Sequence, residues 1–161
     1  MNGTATTPNF VFIAPNECHD MHGISSSNAN STTVNIPDCA YASSGLDHKV
    51  IALGDKYLRS TVAAILASPA WNEGSVLLIP WDEDDYAGTA GCCGSPVGQS
   101  GAVLGGANAP LIVITSAHAQ AQTDATAYNH YSLLATIEKV WGLPCLANAC
   151  TAPTMTKLFQ P

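Results

Sequence analysis

"SVLLIPWDEDD", Ser75 to Asp85, sets an unbroken apolar run against four consecutive carboxylates. Val76-Leu77-Leu78-Ile79 shows no polar alternation, the pattern of a strand covered on both faces. The acidic run, Asp82 to Asp85, stands where such a strand would end. Only 11% of the chain is Asp, Glu, Lys or Arg, so this clustering needs a reason. A solvated loop, a calcium clip and one wall of a catalytic metal site are all open readings. Asp82 and Glu83 directly abut the strand, where burial costs a carboxylate several kcal/mol unless it is paired or metal-bound. Asp84 and Asp85 read as solvated loop charges.

Working outward, "APLIVITS", 109–116, is a second apolar strand, and "NFVFIA", Asn9 to Ala14, reads as a first, closed by Pro15. Leu58, Val62, Ile65 and Leu66 recur at helical spacing. They predict a helix from about Asp55 to Ser68, with Asp55 as N-cap and Pro69 as stop. A second helix is expected over His130 to Trp141, with Leu133, Leu134, Ile137, Val140 and Trp141 on one face and Gly142 and Pro144 closing it. Residues 24–45, rich in Ser, Asn and Thr, and 85–109, rich in Gly, read as long loops. Strands alternating with helices imply an α/β sheet of mostly parallel strands with flanking helices, in a single domain over 1–161.

Composition narrows the function classes. The net charge is −7 with five basic residues, which disfavours nucleic acid, whose phosphates need cations. No apolar run is long enough for a membrane span. No signal peptide is visible at the N-terminus. Six cysteines stand at 18, 39, 92, 93, 145 and 150. "CLANAC" is the kind of short loop that a disulfide closes, and no C-x-x-C pair supports a zinc ribbon. The even cysteine count, scarce lysine and the sequons at Asn2 and Asn30 together favour a secreted, extracellular protein over one with reduced thiols.

In open α/β sheets, ligands bind beyond the carboxyl ends of the strands. Polar clusters follow all three expected strands: Asn16 to His22, Asp82 to Asp85, and Ser116 to His118. Carboxylates are hard donors for Mg²⁺, Ca²⁺ or Mn²⁺, and His adds a nitrogen ligand or a proton-transfer group. Taken singly, each His reads as a surface or packing residue before a catalytic one; His130, for example, can simply cap a helix start.

Five segments in order add to this reading: "PNFVFIAPNECHDMHG", "GDKYL...ILASPAW", "GSVLLIPWDEDD", "GCCG" and "YNHYSLLATIEKVWGLPCL". Together they resemble the C-terminal portion of the bacterial phosphoesterase family, which contains non-haemolytic phospholipases C and related acid phosphatases. The resemblance runs from about Pro8 to Phe159. It implies part of an alkaline-phosphatase-like doubly wound sheet and a hydrolase of phosphate mono- or diesters that depends on a divalent metal ion. Asp20-Met21-His22 matches the family's Asp-Met-His motif, which implies that His22 lies by the phosphate. Asp82 and Glu83 match its acidic pair, implying metal ligands. Tyr128-Asn129-His130 matches its Tyr-Asp/Asn-His motif, implying an assisting role for His130.

The sequence departs from the family pattern in instructive ways. No Glu-Asn metal motif and no Ser or Thr in the context of the family's nucleophile is present. "IPWDED" has Pro where the family commonly has Thr. The expectation is therefore a secreted metal-dependent phosphoesterase-like chain that is incomplete alone. Its partners would be a phosphate ester, together with a missing N-terminal half or further copies of itself. The alternative is a non-catalytic extracellular assembly subunit derived from the half-fold.

Overall fold

The computed structural model describes residues 7–42, 47–83, 109–117, 121 and 123–159. The chain divides into two compact units, 1–72 and 73–161. Among the described residues the architecture is α/β, with helices and one small sheet. No helix among them is long and apolar enough to cross a membrane.

The first unit is organised by α1 (Ser26–Ala29), a 3-10 turn at Pro37–Cys39 and the long helix α2 (His48–Leu66). Asp47 caps α2: its carboxylate accepts from the backbone N–H of Lys49 at 3.0 Å and of Val50 at 3.2 Å. The helix thus begins seven residues before the expected Asp55. Asp55 is not its cap but pairs one turn on with Arg59, at 2.9 Å on the exposed face. Gly54 gives the sequence the look of a helix boundary, yet it lies inside α2. Around the N-terminal half of α2 pack the buried residues Cys18, Ala29, Cys39 and Val50. A Cys18–Cys39 disulfide and a parallel bridge between Ile24 and Ala40 close this small core.

Asn9–Ala14, expected as the first strand, pairs with no strand among the described residues. Its large side chains are exposed, Phe12 to 80%. Aromatic and β-branched residues favour a strand through packing on a pleated neighbour, so without a ladder the preference is not expressed.

The second unit holds the sheet. β1 (Val76–Pro80) pairs with β2 (Leu111–Thr115), in a register running from Val76 opposite Thr115 to Pro80 opposite Leu111. The two strands are antiparallel, where mostly parallel strands are expected from the sequence. A parallel pair needs a crossover, usually helical, that returns the chain to the starting edge. Residues 81–110 carry no helical period, and an antiparallel register lets them leave and re-enter at the same end. Neither strand is fully covered; Val76 and Ile112 are exposed.

α3 (His130–Trp141) has the expected bounds. It opens on a capping box: Asn129 Oδ1 accepts from Ser132 N at 3.0 Å, and Ser132 Oγ accepts from Asn129 N at 3.3 Å. It closes on Gly142, whose φ of 63° places it in the left-handed region that favours glycine. The buried stripe differs from the expected one. Ser132, Ala135, Thr136 and Glu138 are buried, whereas Val140 and Trp141 are 65% and 46% exposed. The cause is the tail of the chain. Met155 N donates to Thr136 Oγ1 at 2.8 Å and Leu146 N donates to Glu138 Oε1 at 3.0 Å, so the tail covers the polar stripe and bonds part of it, while Glu138 Oε2 is buried without a hydrogen-bond partner among the described residues. The Cys145–Cys150 disulfide closes the "CLANAC" loop as expected. Cys92 and Cys93, and nearly all of the Gly-rich loop 85–109, lie outside the described residues.

Candidate active site

The Asp-Met-His motif forms a tight corner in the first unit. The backbone N–H groups of His19 and Asp20 both donate to the carbonyl of Asn16, at 2.7 and 3.0 Å. Asp20 Oδ1 then accepts from His22 N at 2.9 Å, an aspartate turn that re-aims the chain. Gly23 follows with φ of 85°, and a methyl group there would stand 2.9 Å from the carbonyl oxygen of Cys39. Only glycine combines that conformation with that approach.

The ring of His22 bonds the corner it stands on, Nδ1 to the Gly23 carbonyl at 2.9 Å. A carbonyl has no proton to give, so Nδ1 carries the hydrogen and neutral His22 keeps its lone pair on Nε2. The residue is exposed, leaving that nitrogen accessible to a ligand. His19, by contrast, stacks on Tyr57 of α2, with ring centroids 5.0 Å apart, and acts as a packing residue.

A second corner forms where β1 ends and α3 begins. His130 Nε2 donates to the main-chain carbonyl of Asp82 at 2.7 Å, across 48 residues of sequence. The same proton logic leaves its lone pair on Nδ1. His130 therefore fixes the backbone from which the Asp82 and Glu83 carboxylates project, rather than bonding a carboxylate itself.

The rest of the Tyr-Asn-His motif orients this histidine. Asn129 caps α3, and the Tyr128 hydroxyl donates to Asp124 Oδ2 at 2.9 Å. Asp124 also accepts from the backbone N–H and the hydroxyl of Thr126. Those bonds hold its carboxyl below the ordinary 3.8, while partial burial and the bond to Asp124 raise the Tyr128 phenol above 10.0. The anchoring role of Asp124 is legible only as the Asp-x-Thr turn pattern.

Asp82 and Glu83 are donors of the right type for Mg²⁺, Ca²⁺ or Mn²⁺. Among the described residues, no three His, Cys, Asp or Glu side chains cluster closely enough to hold a metal ion. This corner therefore matches a metal site in chemistry and supplies only part of a coordination sphere. Asp84, Asp85 and His118 lie outside the described residues.

The third expected cluster separates from the second. Ser116 follows β2 and bonds the start of β1, Ser116 N donating to Ser75 O at 3.0 Å. It lies level with Ser75, seven residues before Asp82, and so roughly 20 Å along the strands from Asp82. A single carboxyl edge shared by both strand ends is thus not what this pair forms. The Ser116 hydroxyl is buried without a hydrogen-bond partner. His22 belongs to the first unit; Asp82, Glu83 and His130 belong to the second.

The sequence profile of the phosphoesterase family matches residues 3–144. The chain belongs to the phosphoesterase family. That match spans both corners, with His22, Asp82, Glu83 and His130 all inside it. A phosphatidylinositol-3-phosphatase of Mycobacterium tuberculosis (strain ATCC 25618 / H37Rv) is 28% identical over 152 residues, which cover 94% of this phosphoesterase chain. The aligned region is 36% of that protein's length, so the chain spans about a third of the relative it matches. No solved structure matches the chain.

Proposed function

We propose that this chain contributes residues to a phosphoesterase that hydrolyses phosphate mono- or diesters. The family match over residues 3–144 carries the reading. The geometry adds a reason for each residue. His22 offers a bare Nε2 that can take a proton from an attacking hydroxyl or water. Once charged, it can donate to a phosphate oxygen or to the departing alkoxide. Asp82 and Glu83 are the ligands assigned to a divalent metal, which when bound would polarise the phosphoryl oxygens and stabilise the charge of an in-line displacement. His130 holds their backbone in place.

No motif in residues 1–161 matches the remaining ligands or the nucleophile, which on this proposal come from further polypeptide. The phosphatase relative makes a phosphoinositide a substrate worth testing beside simpler esters. Two disulfides among the described residues support a secreted setting.

The test is hydrolysis of p-nitrophenyl phosphate, a phosphodiester analogue and a phosphatidylinositol phosphate, with and without divalent metal. Metal-dependent turnover that falls in both His22→Ala and Asp82→Ala is expected from the protein that contains the whole family domain. Turnover untouched by either substitution contradicts the assignment. The second reading, a non-catalytic assembly subunit, is favoured by the exposed Phe10, Val11, Phe12 and Ile13. Absence of turnover with every metal, together with a mass that rises with concentration, would select it.

A further inference from the structure

Between the aspartate turn and Gly23, Met21 adopts a φ of 77°. A non-glycine residue in the left-handed region is disfavoured by its Cβ, so something must hold it there. Its side chain lies on Gly54, in the interior of α2. A methyl group at Gly54 would stand 2.9 Å from Met21 Cε and 3.2 Å from the His19 carbonyl oxygen. A helix-interior glycine is itself unfavourable relative to alanine. Two unfavourable choices thus coincide at one contact. One turn along the same face, Tyr57 receives the ring of His19. This face of α2 therefore seats both residues that flank Asp20.

A glycine at position 21 would adopt this φ without strain. Methionine there adds only a side chain, and that side chain is the seat. His22 follows directly, held between two left-handed residues with Nδ1 on the Gly23 carbonyl.

We infer that Met21, seated on Gly54, is a positioning residue that holds the His22 ring with Nδ1 bonded to the chain and Nε2 free for a ligand. The inference rests on the proposed role of His22 for its functional meaning, but the geometry can be tested without turnover.

The experiment reads the His22 ring by long-range ¹H–¹⁵N NMR in the wild type, Gly54→Ala, Met21→Gly and Met21→Leu, with circular dichroism as the folding check. The wild type is expected to show neutral His22 as the Nδ1–H form. Gly54→Ala and Met21→Gly should each lose that dominance, while Met21→Leu, which refills the seat, should restore most of it. If Gly54→Ala fails to fold, Met21→Gly and Met21→Leu decide. An unchanged His22 tautomer in Met21→Gly overturns the inference, because the backbone conformation alone would then suffice. A shifted tautomer that leaves the phosphoesterase turnover of the whole-domain protein unchanged sinks the functional reading and leaves the positioning intact. Lost turnover with an unshifted tautomer does the reverse.

Discussion

Among the described residues two histidines are held by main-chain carbonyls, and they are held in opposite ways. His22 bonds the carbonyl of the next residue through Nδ1. His130 bonds a carbonyl 48 residues away through Nε2. The first corner is built locally, from an aspartate turn, two left-handed residues and a disulfide behind them. The second exists only when β1 and α3 have met. One corner thus presents Nε2 and is fixed by a turn, a disulfide and the Met21 side chain seated on Gly54. The other presents Nδ1 and is fixed by tertiary packing. The difference suits the roles assigned above: the local corner offers a ring to a ligand, and the tertiary corner fixes the backbone that carries the carboxylates.

The largest expected effect separates the corners by function. In the protein with the whole family domain, His22→Ala should lower phosphoester turnover by about 10²–10⁴-fold, the usual range for a lost proton-transfer group. His130→Ala should cost less, because its bond is to backbone and its loss loosens the ligands without removing one. Equal losses in kcat for the two variants would erase the distinction.

Stability provides the next contrast. Cys18 and Cys39 are 21 residues apart and Cys145 and Cys150 are five apart. Loop-closure entropy then predicts losses of about 3 and about 2 kcal/mol when each pair is replaced by alanine, measured by urea unfolding. The larger loss belongs to the first corner, and the His22 ring signals should broaden only in that variant. Smaller still is the capping box. Asn129→Ala should cost about 1 kcal/mol and weaken the His130 bond to Asp82, seen as a shift of the His130 ring nitrogens.

The smallest effect is in pH. Hydrogen bonds from Thr126 and Tyr128 lower the Asp124 pKa in the folded chain. A depressed folded value means that the stabilisation is fully present above the unfolded value, near 3.8, and is lost as the pH falls through the folded one. Acid titration below 3.8 should therefore loosen the His130 corner first, and Thr126→Val should move that loosening to higher pH. No dependence of the transition on Thr126 would contradict the anchor.

Much of this was legible in the sequence, for physical reasons that differ by element. α3 shows its bounds because its cap, period and terminal glycine all lie within the segment. α2 hides its first turn because Gly54 looks like a break. The reason for that glycine is Met21, more than thirty residues upstream, which no local pattern reveals. The apolar runs at β1 and β2 announce strands but not direction, since direction follows from where the connecting chain re-enters. The polar face of α3 is buried because the tail from Leu146 to Met155 donates to Glu138 and Thr136, a pairing between residues that look solvent-facing when read singly. Asp82-Glu83 stands out by its place at a strand end and Asp-Met-His only through the family resemblance, whereas the ring nitrogen that each histidine leaves free depends on a carbonyl that only the fold brings to it.

The most direct measurement of the central claim is the tautomer of each histidine in the wild-type chain, read from long-range ¹H–¹⁵N NMR with the rings neutral. The two corners predict Nδ1–H for His22 and Nε2–H for His130. The same tautomer on both rings, or His22 with its proton on Nε2, would contradict the account.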